Sequence, residues 1–163
     1  MAWAFVAKTV SIPDGASRPR PSLRARAMRF LARREHSRAE LARKLAPLAE
    51  EGDDIEALLD DLANKGWLSD ARYAELAVRS KARRFGPLKV AHELRAKGVG
   101  DEAITRAFEK AADDGVASLE RIWRSRFVAP PADQRERGKQ VRFLQGRGFA
   151  LEDVLRFLKG LRT

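Results

Sequence analysis

Glu40-Leu41-Ala42-Arg43-Lys44, Glu93-Leu94-Arg95-Ala96-Lys97-Gly98-Val99 and Phe143-Leu144-Gln145-Gly146-Arg147-Gly148-Phe149 are three versions of one phrase, with their leucines 53 and then 50 residues apart. Recurrence at that period marks a supersecondary unit built three times. The stretch that follows each phrase carries apolar residues at i, i+3, i+4 and i+7: Ile55, Leu58, Leu59 and Leu62; Ile104, Ala107, Phe108 and Ala111; Leu151, Val154, Leu155 and Leu158. That spacing draws one apolar stripe along a helix. The stretches preceding the phrases are looser, with Leu23, Ala27, Phe30 and Leu31, then Tyr73, Leu76, Ala77 and Ser80, then Leu119, Ile122 and Trp123. Nine helices in three units are expected: an all-α fold, an elongated row of three tandem three-helix repeats. The expected boundaries are a flexible arm over residues 1–22 and repeats over 23–68, 69–114 and 115–163.

The punctuation agrees with this reading. Ser37 with Glu40, and Asp53 with Glu56, have capping-box spacing, and Gly86-Pro87 supplies a first-turn proline. Gly98 and Gly148 stand where a left-handed C′ residue lets Val99 and Phe149 fold back onto Leu94 and Leu144. Leu62…Gly66-Trp67 repeats the device, but at the end of the third helix of unit one. Units of about 50 residues are marginal cores alone and lean on their neighbours.

The chain of 163 residues has no cysteine, which removes disulfides and thiolate metal sites and suits a reducing cytoplasm. No apolar run reaches the roughly 20 residues of a bilayer span. Met1-Ala2-Trp3-Ala4-Phe5-Val6-Ala7-Lys8 does not read as a signal peptide, for want of a basic leading region and a cleavage site. The net charge of +10 is distributed in blocks of alternating sign: +6 over residues 1–36, −5 over 37–70, +6 over 71–100, −4 over 101–120 and +7 over 121–163. A polyanion would therefore meet the first and second helices of the units, the third helices facing elsewhere.

Taken singly, each lysine or arginine reads as part of a solvated helix face. As a set, Arg79, Lys81, Arg83 and Arg84 with Lys89, Arg95 and Lys97 point to a polyanion or acidic partner. A broader second set includes Arg124, Arg126, Arg142 and Arg147. Arginine predominates, which suits bidentate contact with phosphate or carboxylate. Groove-reading of DNA by a helix-turn-helix is disfavoured, because Asp53-Asp54, Asp101-Glu102 and Glu152-Asp153 occupy the helix starts that would enter the groove. Gly98-Val99-Gly100-Asp101-Glu102-Ala103 matches a dinucleotide fingerprint only formally, since a helix and not a strand precedes it. His36 and His92 lack metal-ligand spacing and read as helix-end or surface residues. Trp67, Tyr73, Phe85, Trp123 and Phe149 read as core. No catalytic constellation, metal site or cofactor site is expected.

Three phrases carry a family resemblance: Ser37-Arg38-Ala39-Glu40-Leu41-Ala42-Arg43-Lys44-Leu45, Leu62-Ala63-Asn64-Lys65-Gly66-Trp67-Leu68-Ser69-Asp70-Ala71-Arg72-Tyr73-Ala74, and Phe85-Gly86-Pro87-Leu88-Lys89-Val90-Ala91-His92-Glu93-Leu94-Arg95-Ala96-Lys97-Gly98-Val99. In order and spacing they resemble the RecX family of regulatory proteins, from about Leu23 to Leu158 and most closely between Ser37 and Val99. The resemblance implies a non-enzymatic cytoplasmic protein, a monomer, that lodges in the groove of the RecA recombinase filament on DNA. It would there restrain the filament's ATPase, strand-exchange and coprotease activities, with direct, non-specific DNA contact as an accompaniment. A non-specific nucleic-acid-binding helical protein acting without RecA shares the charge pattern and stays open as an alternative.

Overall fold

The computed structural model describes residues 20–111 and 115–161. The expected arm falls almost wholly outside them. The described residues form nine α-helices and no strand: α1 (Leu23–Leu31), α2 (Arg38–Leu45), α3 (Ile55–Asn64), α4 (Asp70–Lys81), α5 (Pro87–Ala96), α6 (Asp101–Ala111), α7 (Gly115–Arg124), α8 (Gln134–Gly146) and α9 (Leu151–Gly160), with a short 3-10 turn, Ala46–Leu48, after α2. The chain is thus an all-helical row of three tandem three-helix units.

Each unit has a core of its own. Leu23, Ala27, Leu41, Leu45, Leu59, Leu62 and Leu68 form the first; Ala74, Val78, Val90, Ala91, Leu94, Val99, Ile104 and Ala107 the second; Leu119, Ile122, Trp123, Leu144, Phe149, Val154 and Leu158 the third. The third is the aromatic one. Trp123 meets Phe157 edge-on at 5.8 Å between centroids, and its buried indole N–H donates to Gln140 Oε1 at 2.8 Å. Gln140 in turn donates to the Ala129 carbonyl, so this polar pair is satisfied inside the core.

The helix stops follow the glycines. Val99 N–H donates to the Leu94 carbonyl and Gly98 N–H to Arg95, and the same pair of bonds joins Phe149 to Leu144 and Gly148 to Gln145, and Trp67 to Leu62 and Gly66 to Ala63. These are the two bonds of the Schellman motif, and Gly66, Gly98 and Gly148 all have positive φ. Each carries the next residue back over the helix it ends, which is why Val99 and Phe149 are core residues.

Five expectations need correction. Leu151, the first residue of the apolar stripe expected on α9, is 47% exposed. The buried face of α4 is Ala74 and Val78, with Tyr73 and Ala77 on its flanks, while Leu76 is 52% exposed. Small side chains on that face let α4 and α6 approach closely, so packing and not the larger leucine fixed the rotation of the helix. Trp67 is 45% exposed and lies beside the Lys65 ammonium, not in a core. The N-cap of α3 is Asp54, which accepts from Ala57 N–H; Asp53 instead accepts from Glu50 N–H in the preceding turn. The Ser37 capping box is only half formed, because Glu40 turns its carboxylate to Arg34.

Candidate functional site

The second helices of the units, α2, α5 and α8, meet through their ends, and these joints organise the surface. At the first joint the turn ending α5 abuts the start of α2. Ser37 Oγ accepts from Glu40 N–H at 3.1 Å, as an N-cap should, and donates to the Lys97 carbonyl at 2.6 Å across the joint. Arg38 N–H, an orphan donor at the start of α2, is taken by Asp70 Oδ1 of the next unit at 2.7 Å. A Cβ added to Gly98 would lie 2.5 Å from that of Ala39, so only glycine allows the approach. Opposite charges complete the joint: Arg72 with Glu35 at 2.8 Å, and Glu40 with Arg34 at 2.6 Å and Lys97 at 3.9 Å.

Glu40 and His36 are buried behind this joint, and their surroundings fix their protonation. Hydrogen bonding from Arg34 holds the Glu40 carboxyl below the usual carboxylate range, against the opposing effect of burial. His36 Nδ1 lies 2.9 Å from the Arg34 carbonyl and must carry the proton, leaving Nε2 to accept from Lys44 at 3.1 Å. Burial pushes the imidazole below its ordinary value against the hydrogen bond to the Arg34 carbonyl, and the charges of Arg34 and Lys44 add to the lowering. The ring is held neutral.

The second joint repeats the geometry with different chemistry. The turn ending α8 abuts the start of α5: Gly86 N–H donates to the Arg147 carbonyl at 2.7 Å and Leu88 N–H to Gly148 at 3.0 Å. Arg147 thus stands where Lys97 stands in the first joint. A Cβ on Gly86 would meet the Gly148 carbonyl oxygen at 2.6 Å, and one on Gly148 would meet the Lys89 Cβ at 2.4 Å.

The basic residues named from the sequence divide between these places. Arg84, Lys89 and Arg147 come together at the second joint: Arg147 donates to the Arg84 carbonyl at 3.4 Å, and Lys89 and Arg84 flank one Phe85 ring. Arg95 and Lys97 lie at the opposite end of α5, beside the first joint, paired with Asp101 and Glu40. Lys81 pairs with Glu93, and Arg124 with Glu120 one turn away. Arg79, Arg83, Arg126 and Arg142 are exposed, with no ion pair among the described residues. Five of the eleven cations therefore gather at the joints, three at the second and two beside the first, and four of the eleven already hold an intramolecular carboxylate.

Ser37, Glu40, Asp70 and Gly148 hold the joints, and sequence reasoning did not assign them there. The capping signal of Ser37 was legible; its second bond, to a carbonyl 60 residues away, had no local signal. Among the described residues no group of three or more His, Cys, Asp or Glu is placed to hold a metal ion, and no helix is long and apolar enough to cross a membrane.

Comparison with known proteins fits this architecture. The family descriptions for the first, second and third three-helix domains of RecX match residues 24–62, 69–107 and 112–158 respectively. A protein named regulatory protein RecX from Ralstonia nicotianae is 47% identical over 139 residues, covering 85% of this chain and 87% of its own. Another of that name from Herbaspirillum seropedicae is 48% identical, covering 83% of this chain and 90% of its own. The crystal structure of RecX from Lactobacillus salivarius superposes with a TM-score of 0.73 over 86% of this chain and 94% of its own, at 21% identity, a likeness of fold. Three matched domains in order, on a row of three units, make this chain a member of the RecX family.

Proposed function

We propose that the chain binds the RecA recombinase filament on DNA and inhibits its ATPase, strand-exchange and coprotease activities, so modulating recombination and DNA repair. The relatives are named as regulatory proteins and not as enzymes, which supports a binding role. The observation that carries the reading is the row itself. Three units with separate cores, joined end to end, present unpaired cations on the second and third units, and such a row suits a filament whose protomers repeat along one axis. Weak contacts by each unit then add through effective concentration. The protein acts as a cytoplasmic monomer, with arm and repeats divided at residues 22, 68 and 114.

Capture on RecA filaments against capture on naked single-stranded DNA, each over a salt series, tests this. Retention on filaments at salt concentrations that release the chain from naked DNA is expected. Equal retention on both, falling together with salt, would leave only a non-specific nucleic-acid binder, the reading that net charge alone favours.

A further inference from the structure

The two joints have the same backbone plan and opposite electrostatics. At the first, carboxylates and cations are mixed: Glu35 pairs with Arg72, Glu40 with Arg34 and Lys97, and the Asp70 carboxylate accepts from Arg38 N–H. At the second, the side chains gathered round the backbone bonds are Arg84, Lys89 and Arg147, all of one sign. None of the three has a carboxylate partner among the described residues. Glu93, one turn along α5 from Lys89, is taken by Lys81, and Glu152 and Asp153 are taken by Arg156. The cations come from both sides of the joint, Arg84 and Lys89 from the second unit and Arg147 from the third. Their mutual repulsion therefore acts to part the units, opposed by two backbone hydrogen bonds, the long bond from Arg147 to the Arg84 carbonyl and the seating of Phe149 against Gly86.

We infer that the joint between the second and third units is a hinge operated by phosphate. With no anion at Arg84, Lys89 and Arg147 it is loose. A phosphodiester strand laid across the three cations cancels their repulsion, draws the third unit onto the second and fixes their angle, while the ion-paired first joint stays rigid. This rests on the proposal that the basic surface meets the DNA carried by a filament, and adds to it how the row changes shape on contact.

The chemistry favours phosphodiester over an acidic protein. Arginine forks pair bidentately with phosphate oxygens, and the rings beside them, Phe85 and Phe143, are already faced by Lys89 and Arg147. A protein partner needs an apolar interface core, and the exposed large apolar side chains near this joint are few: Leu88, Val116 and Leu151.

The absence of cysteine allows two introduced thiols to be spin-labelled cleanly in the full chain. Leu76→Cys with Leu151→Cys reports across the second joint, and Ala25→Cys with Leu76→Cys across the first, by double electron–electron resonance. The pair across the second joint should give a broad distance distribution that narrows when oligothymidylate is added, and the pair across the first a narrow one that does not change. Arg84→Gln with Lys89→Gln should abolish the narrowing and lower the log–log salt slope of oligothymidylate binding by about 1.4, at roughly 0.7 per phosphate contact on a single strand. Arg106→Gln with Lys110→Gln removes the same charge from cations that hold Glu102 and Glu75, and should leave the narrowing intact. A second joint already narrow without nucleic acid, an equal response at the first joint, or the same narrowing with polyglutamate would overturn the hinge. Narrowing by oligothymidylate in a protein that leaves the RecA ATPase untouched would retire the filament proposal and keep the hinge; filament inhibition without any narrowing would do the reverse.

Discussion

Replacing Gly98 by alanine should destabilise the chain through two separable effects. At φ +79° an L-residue is in the left-handed region, at a cost of about 1–2 kcal/mol. The new Cβ would also stand 2.5 Å from the Ala39 Cβ in the neighbouring unit. Such overpacking adds about 1–3 kcal/mol, because helix α2 must shift to relieve it. Gly66 supplies the control: its φ is +71°, but a Cβ there has nothing within 4 Å. Gly66→Ala should therefore pay the backbone cost alone. In urea denaturation followed by circular dichroism, Gly98→Ala should exceed Gly66→Ala by about 1–3 kcal/mol, the collision part. Ala39→Gly placed in the Gly98→Ala background should recover most of that excess, less at most about 1 kcal/mol for glycine in a helix. Gly98→Val should be worse than Gly98→Ala, since branching at Cβ enlarges both effects. Equal losses for Gly98→Ala and Gly66→Ala, with no coupling to Ala39 in the double-mutant cycle, would refute the claim that the turn ending α5 is seated on α2.

Ser37→Ala removes an N-cap and the bond to the Lys97 carbonyl, and should cost about 1–3 kcal/mol, more than Ser22→Ala, whose exposed hydroxyl only caps α1. Trp123→Phe should cost a similar ~1–3 kcal/mol by leaving Gln140 Oε1 buried without its donor, read as a lowered denaturation midpoint. Stability should also fall on the acid side. Folding holds His36 neutral, so the unfolded chain takes up the proton first as pH drops below the ordinary imidazole value of 6.5; stability is full above that value and declines beneath it. Glu40, held below its ordinary 4.5, contributes stability that is present above 4.5 and lost as pH falls further. His36→Gln should flatten the loss just below pH 6.5 in a series of melting temperatures and leave the more acidic loss in place.

What the sequence made legible was local. The Schellman turns at Gly66, Gly98 and Gly148 combine a spacing with a residue that alone accepts positive φ at low cost, and they stand as read. So do the stripes of α3 and α6, where apolar residues repeat at helical spacing, and that of α9 at Val154 and Leu158 but not at Leu151. The stripe of α4 was misread because the face that packs is the small one, Ala74 and Val78, and size is a poor guide where close approach of backbones decides. Asp53 and Asp54 are both competent caps, and only the conformation of the turn before α3 selects the second. The joints escaped for a different reason. Their contacts join residues about 60 apart, and Gly98 has no feature by itself that shows it rests on Ala39. The same distance hid the division of the basic residues: Lys81, Arg95 and Lys97 look as free as Arg79 in a string of letters, and only the fold brings Glu93, Asp101 and Glu40 to them.

The central claim is that unpaired cations of the second unit, on a row of three units, hold the chain on a RecA filament. The most direct measurement is the ATPase rate of RecA on single-stranded DNA, titrated with the chain and with Arg79→Glu/Arg83→Glu/Arg84→Glu. Lys81 is kept in its pair with Glu93, and helix content is checked by circular dichroism. The parent chain should inhibit, and the triple variant should lose inhibition with its helices intact. Asp101→Lys/Glu102→Lys, which alters the start of α6, should still inhibit. Full inhibition by the triple variant at the parent's concentration would contradict the account.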